Sequence, residues 1–314
     1  MSGSAPLGSG APVSVPAPSG AGPRLASTRT ALADARAALD LVSPGPVVLV
    51  PTMGALHAGH ERLLEAARTL AGPRGSVIVS IFVNPLQFGP NEDLDRYPRT
   101  LDEDLALCAR AGVSLVFAPS AAEMYPGGKP EVTVDPGPAG QRYEGEFRPG
   151  FFGGVLTVVL KLLVLTRPAI AVFGQKDAQQ LALVRRMVTD LNLDVVIEPV
   201  PTVRDDDGLA TSSRNRYLSA ADRAVALALP RALRAGQARA GQGAAAVLGA
   251  AGDVLRAEPA LAVDYIAVVD PGTFGPAGPG PALLVAAAKA GSTRLIDNMA
   301  LVLPAEGAGD AAHH

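Results

Sequence analysis

Three stretches of the chain are almost purely aliphatic: residues 47–50 (VVLV), 76–83 (SVIVSIFV) and 169–173 (AIAVF). Runs this short and this rich in β-branched residues fit strands buried on both faces of a parallel sheet. Further strands are expected at 115–118 and 193–199. Between them, apolar positions recur at helical spacing. This happens over 28–41, over 101–111, over 157–166, after Glu61 at Leu63, Leu64, Ala66, Ala67 and Leu70, and from Leu181 through Val184 to Val188. Strand and helix alternate, which predicts an α/β fold with a doubly wound parallel sheet.

Two segments break the alternation. Residues 123–150 are rich in Gly and Pro, with a short strand signal at 132–134, and read as an insertion or an active-site wall. After Thr202 the texture changes. Ala-rich helices are expected over 219–257 and strands at 263–269, 282–287 and 293–297, a small α+β unit. The expected division is therefore 24–202 and 203–314. Residues 1–23 hold Gly, Pro, Ser and Ala without a charge or a hydrophobic core segment, and read as a disordered extension that is neither signal peptide nor fold element.

Composition narrows the partners. The 314 residues carry 27 Lys plus Arg against 30 Asp plus Glu, a net charge of −3, which argues against a general nucleic-acid or anionic-membrane partner. The apolar run 155–165 is interrupted by Lys161 and is too short to span a bilayer. Trp is absent, so the core must come from Ala, Val and Leu. The single cysteine, Cys108, cannot form an internal disulfide, fits a reducing cytoplasm and reads as an apolar filler in a helix.

Candidate chemistry concentrates at strand-to-helix turns, where an open α/β sheet binds its ligands and where helix N-termini favour phosphate. Residues 51–60 (PTMGALHAGH) form such a turn, and they contain both internal histidines of the four in the chain, His57 and His60. Three apart at a helix start, the two face the same side. Gly54 and Gly59 let backbone approach a ligand. Helix capping is the structural alternative, and zinc is disfavoured because no Cys or general-base Glu accompanies the pair. Asn84 and Gln87 follow the second strand with amides suited to a small polar ligand, beside the apolar Phe88. Gly174, Gln175, Lys176 and Asp177, with Gln180, suit a nucleotide, or else form a solvated cap with Asp177 in the first helical turn. Residues 211–216 (TSSRNR) place hydroxyls beside guanidinium groups, as a phosphate clamp does, although polar surface loops look the same.

These residues resemble a known family. The segments 51–60, 82–88 (FVNPLQF), 97–100 (YPRT), 154–159 (GVLTVV), 173–180 (FGQKDAQQ) and 212–218 (SSRNRYL) are similar to the motifs of pantothenate synthetases, in the family's order, and the likeness runs from about residue 25 to about residue 300. These are the pantoate–β-alanine ligases of the adenylate-forming His-x-Gly-His nucleotidyltransferase superfamily, which includes class I aminoacyl-tRNA synthetases. The resemblance implies a Rossmann-like N-terminal domain with a smaller C-terminal lid, a cytoplasmic homodimer, and the ligands ATP, Mg2+, pantoate and β-alanine. It implies an ATP site of Met53, Gly54, His57, Gly59, His60, Gly174, Gln175, Lys176, Asp177, Val203, Thr211, Ser212, Ser213 and Arg214. His60 is implied as proton donor, with His57, Lys176 and Arg214 also acting on phosphate charge. Gln87 and Gln180 are implied to hold pantoate, and Gln87 also β-alanine. Three positions depart from the family pattern: Thr211 stands where Met is usual, Gln175 where Glu is usual, and Phe151 where His is usual. The first two are expected to act through backbone or packing, and the third removes a polar group near the pantoate pocket. Another nucleotidyltransferase of the superfamily would keep both His and the Ser-Ser-Arg loop but lack the Asn-Pro-Leu-Gln-Phe and Gln180 signals. A protein that binds ATP without turnover is disfavoured because His57, His60, Lys176 and Arg214 are all present.

Overall fold

The computed structural model describes residues 22–90 and 94–305, so the expected extension lies outside them save for its last two residues, as do His313 and His314. Six strands form one sheet: β1 (Arg24–Ala26), β2 (Val47–Thr52), β3 (Ser76–Ile81), β4 (Leu115–Phe117), β5 (Ile170–Gly174) and β6 (Val196–Val200), in the order β1-β4-β3-β2-β5-β6. Every pairing is parallel. The α/β expectation holds. The edge strand β1 is the addition, since three residues with one buried side chain, Ala26, give no periodic signal.

Strand alternation sorts the aliphatic side chains into two layers. Val48, Val50, Val77, Val79 and Val116 pack under α2 (Ala58–Ala71) and α3 (Leu101–Arg110), where Cys108 is fully buried as the expected filler. Leu49, Ile78, Leu115, Phe117 and Phe173 pack on the opposite face under α1 (Arg29–Val42), α6 (Phe151–Thr166) and α7 (Ala178–Asp190). Both faces are covered, which is why these strands read as unbroken apolar runs. Thr28 caps α1 by accepting from the amide of Ala31 at 3.1 Å. Helix α6 begins at Phe151 rather than at 157. It is buried nearly all round, from Phe152 through Val159 and again at Leu162 and Leu163, so no polar face marks its start.

The segment 123–150 carries two single-turn helices, α4 (Ala121–Met124) and α5 (Glu144–Phe147). The strand expected at 132–134 does not form. Instead the Val134 amide donates to the Thr157 hydroxyl of α6 at 3.0 Å, and Val132 is exposed.

Beyond residue 202 lie α8 (Ala220–Ala226), α9 (Ala228–Gln237) and α10 (Ala244–Arg256), then the antiparallel sheet β7 (Leu261–Val269), β8 (Gly280–Ala290) and β9 (Thr293–Leu303). The small side chains of Ala286 and Ala288 on β8 pack with Leu229, Leu233 and Val247 of the helices. The other face of the sheet presents Val285 and Val269, which pack with Phe274 and with Ala182 of α7. The two sheets are thereby joined.

Candidate active site

The strand order reverses between β2 and β5, the place where doubly wound sheets open a crevice. Their ladder covers only Val48 and Leu49 against Ile170 and Ala171, so the carboxyl ends of the two strands are not paired with each other. Pro51, which has no N–H to give, stands beyond that ladder. A cleft of about 1200 Å³ opens there, lined from the first sheet, from 201–217 and from β7–β9. That exceeds the usual single-ligand pocket and suits a nucleotide with a second molecule.

The turn after β2 is built by a group far away in sequence. Gly54 and Ala55 take positive φ, 82° and 51°. The amides of Ala55 and Leu56 donate to the carboxylate of Asp104, at 3.0 and 2.8 Å, from the first turn of α3. A Cβ on Gly54 would lie 2.9 Å from that carboxylate, so glycine is required on both counts.

His57 is the N-cap of α2. Its Nδ1 accepts from the amide of Gly59 at 3.1 Å, and the His60 Nδ1 accepts in return from the amide of His57 at 3.2 Å. A Cβ on Gly59 would sit 2.9 Å from the His57 ring. The ring centroids are 4.1 Å apart. Because each Nδ1 is an acceptor, the neutral rings carry their proton on Nε2. Burial, with the charges of Lys176 and Arg216, lowers the His57 pKa to about 4. Burial, with His57 and Lys176, lowers that of His60 to about 3. Capping and function are therefore compatible: Nδ1 serves the helix, and Nε2–H remains as a donor.

At the end of β3, Asn84 and Gln87 have different roles. Asn84 is buried and saturated. Its Nδ2 donates to Gln87 Oε1 at 3.0 Å and to the Gly154 carbonyl at 3.1 Å, while its Oδ1 accepts from the Tyr125 hydroxyl at 2.8 Å. The expectation that Asn84 meets a ligand is thus corrected; it orients Gln87. With Oε1 occupied, Gln87 turns its Nε2 toward the Met53 sulfur, 3.1 Å away, on the cleft wall. Phe151 also lines the cleft, with the Arg148 guanidinium 3.7 Å over its ring and donating to the Gln87 carbonyl at 3.2 Å.

After β5 comes a short 3-10 turn, Gln175–Asp177, and then α7. Asp177 stands at the N-cap of α7 and in the first turn of the 3-10 segment, without a side-chain cap hydrogen bond. Of two adjacent glutamines, Gln179 is a strut, accepting from the Glu144 amide at 3.2 Å and donating to the carbonyls of Ala139 and Arg142, both at 2.8 Å. Gln180 lines the cleft.

The loop 203–216 closes on itself. The Thr211 amide donates to the Val203 carbonyl at 2.9 Å, and the Thr211 hydroxyl donates to Asp205 at 2.6 Å. The hydroxyl and the amide of Thr211 are thereby both committed within the loop, which leaves local packing, the other role expected at this departure from Met. The Ser212 hydroxyl accepts from the Arg214 amide at 3.3 Å, and the Ser213 hydroxyl lies 3.5 Å from that of Tyr97. Met53, His57, Gly59, His60, Gln87, Gly174, Lys176, Asp177, Gln180, Val203, Thr211, Ser212, Ser213 and Arg214 all line the one cleft. Gly54 and Gln175 stand behind it. Sequence reasoning missed Asp104 and the β9 residues Arg294, Asp297 and Asn298, whose partners are remote in the chain.

Comparison with known proteins agrees with this geometry. Residues 24–300 match the family model described as pantoate-beta-alanine ligase. The pantothenate synthetase of Thermobifida fusca is 61% identical over 271 residues, covering 82% of this chain and 90% of that protein. That of a Nocardioides species is 56% identical over 303 residues, covering 92% and 89%. Among solved structures, the pantothenate synthetase of Thermus thermophilus superposes with a TM-score of 0.81 at 48% identity, covering 88% of this chain and 98% of that one. The pantoate-beta-alanine ligase of Francisella tularensis, complexed with β-γ ATP and β-alanine, gives 0.73 at 33% identity, covering 88% and 97%.

Proposed function

Because the chain belongs to the pantoate–β-alanine ligase family, we infer that it joins pantoate to β-alanine with ATP, through pantoyl adenylate, releasing AMP and pyrophosphate. The observation that carries the site assignment is the pair of Nε2–H imidazoles lining the same cleft as Lys176, whose charge acts on both rings. In the first half-reaction a pantoate carboxylate oxygen attacks the α-phosphorus in line and pyrophosphate leaves. The nucleophile is already an anion, so the catalytic task is positioning and charge stabilisation. His57 and His60, neutral at pH 7, donate hydrogen bonds through Nε2; for His60 this replaces the proton-donor role with that of a hydrogen-bond donor. Lys176 and Arg214 supply positive charge, and the backbone of 211–213 approaches the phosphates.

Gln87, its amide fixed by Asn84, and Gln180 hold pantoate, and Gln87 also meets β-alanine. In the second half-reaction the neutral amine attacks the acyl carbon and AMP leaves. Apolar walls such as Phe82, Phe151 and Val155 favour that uncharged amine.

Mg2+ fits this site as an ion carried by the phosphates, its usual mode. No group of three or more His, Cys, Asp or Glu side chains among the described residues is gathered to hold a metal. Of the carboxylates lining the cleft, Glu144 and Asp264 pair with Arg294 and Asp297 with Arg204, which leaves Asp177 as the one to hold the ion. Mg2+ bound there would neutralise charge on the departing pyrophosphate. The proposal includes a boundary after Thr202, where the sequence texture changes, and, as the family resemblance implies, a homodimer in a cytoplasmic setting.

The test separates the half-reactions. AMP is expected only when ATP, pantoate and β-alanine are all present. Lys176→Ala and His60→Ala should each slow pantoyl adenylate formation by about 10² to 10³ while using supplied pantoyl adenylate at close to the normal rate. Equal suppression of both steps in folded protein would overturn the assignment.

A further inference from the structure

Arg294 and Asn298 share one face of strand β9, and both reach the first sheet's half of the molecule, Arg294 at Glu144 and Asn298 at Lys176. The Asn298 side-chain amide uses both of its N–H groups there, donating to the carbonyls of Gln175 and Lys176, each at 2.9 Å. The turn it grips has no side-chain cap at Gly174, and the following helix has none at Asp177. Asn298 is itself held: its amide donates to Asp297 at 2.7 Å, its carbonyl accepts from Arg204 at 3.2 Å, and Arg204 makes two bonds to the buried Asp297 carboxylate, at 2.7 and 3.0 Å. The carbonyls of Gln175 and Lys176 belong to the two peptide planes that flank the Lys176 Cα, so holding both fixes where the Lys176 side chain leaves the backbone.

We propose that Asn298 is a positioning residue for the first half-reaction: bridging the carbonyls of Gln175 and Lys176 from the second sheet, it sets where Lys176 meets the ATP phosphates. The inference rests on the reading of Lys176 as a phosphate ligand. It makes the C-terminal sheet a part of the adenylation site rather than only a cover for it. A lateral error of about 1 Å in such a group costs on the order of a hundredfold in rate.

The full-length protein is compared as Asn298→Ala, Asn298→Asp, Lys176→Ala and Asn298→Ala/Lys176→Ala. Asn298→Asp keeps the volume and removes both donors. Both Asn298 single variants are expected to lose about 10- to 100-fold in kcat/KM for ATP during adenylate formation. The KM for pantoate and the reaction of supplied pantoyl adenylate with β-alanine should stay within about twofold of normal, and Tm should be little changed. With Lys176 already replaced, removing Asn298 should cost less than about threefold more, since the two act as a unit. A normal rate for Asn298→Asp, equal losses in both half-reactions, or full additivity with Lys176→Ala would overturn the proposal. Normal adenylation by Lys176→Ala would instead overturn the reading of Lys176 itself, and the inference would fall with it.

Discussion

At the scale of residues, the histidine pair shows how one side chain serves structure and chemistry together. Helix N-caps favour Ser, Thr, Asp and Asn, so a cap at His57 is suggested by its place at the helix start and not by its residue type. The sequence makes both imidazoles candidates, but not their tautomers, because these depend on amides that point at Nδ1 only once α2 has formed. The depressed pKa values give a direct expectation. Proton NMR of the imidazole resonances should find the pair titrating near 4 and 3 rather than near 6.5. The sign for stability follows. The folded pKa values lie below the unfolded one, so as pH falls below about 6.5 the unfolded chain takes up protons that the folded chain refuses. Stability contributed by the neutral rings is complete above that pH and is lost progressively down to about 4 for His57 and about 3 for His60. At pH 5 the loss is at most about 2 kcal/mol for each ring. Urea denaturation at pH 7.5 and pH 5 should therefore show a smaller acid loss in His60→Asn than in the parent protein. Titration of both rings near 6.5 would contradict the buried, neutral pair.

Among elements, legibility followed burial. Strands β2, β3 and β5 were readable because both of their faces are covered, so aliphatic runs survive without interruption. Strand β9 was readable only over its first residues. Asp297 and Asn298 interrupt its apolar pattern where the expected strand stops, and these side chains, with Arg294 before them, bind across to remote partners. Functional and bridging positions are where local rules are expected to fail. The turn 53–56 is the clearest case: Gly54 was visible, but Asp104, which holds that turn, is one of three acids opening α3 and looks like ordinary dipole compensation. Asp104→Ala leaves the amides of Ala55 and Leu56 without their acceptor in a buried site. It should destabilise the fold by about 2 to 4 kcal/mol in urea denaturation and raise the KM for ATP. Asp104→Asn keeps one acceptor and should lie between. An ATP KM untouched in both variants would show that the turn does not shape the nucleotide site.

Over the whole molecule, the question is what fixes the second sheet over the crevice. Part of the answer is apolar, Phe274, Val285 and Val269 against Ala182 of α7. The rest is polar: the Asn298 bonds to the carbonyls of Gln175 and Lys176, and an ion-pair cluster seated in the segment 123–150. The buried Glu144 accepts from Arg294 at 2.6 and 2.8 Å and from the Tyr265 hydroxyl at 3.0 Å, and Arg294 also bonds Asp264 at 2.7 Å. Burial opposes the charge on Arg294, but the bonds and charge of Glu144 outweigh it and hold the guanidinium pKa up. The Gly- and Pro-rich texture of 123–150 suggested an active-site wall, yet nothing sets Glu144 apart from Glu123, Glu131 and Glu146 as the one that receives another sheet. A buried pair of this kind adds little net stability, while removing one partner leaves a buried charge unmet. Arg294→Ala should therefore cost about 3 to 5 kcal/mol, and adding Glu144→Gln to it should recover part of that loss. Chemical denaturation followed by far-UV circular dichroism and by tyrosine fluorescence measures both the loss and its cooperativity. If the cluster ties the two sheets into one unit, the two probes should coincide in the parent protein and separate in Arg294→Ala, the second sheet melting first. Coincident transitions in Arg294→Ala, with no recovery in the double variant, would assign the joining of the sheets to the apolar contacts and the Asn298 bonds, without the ion-pair cluster.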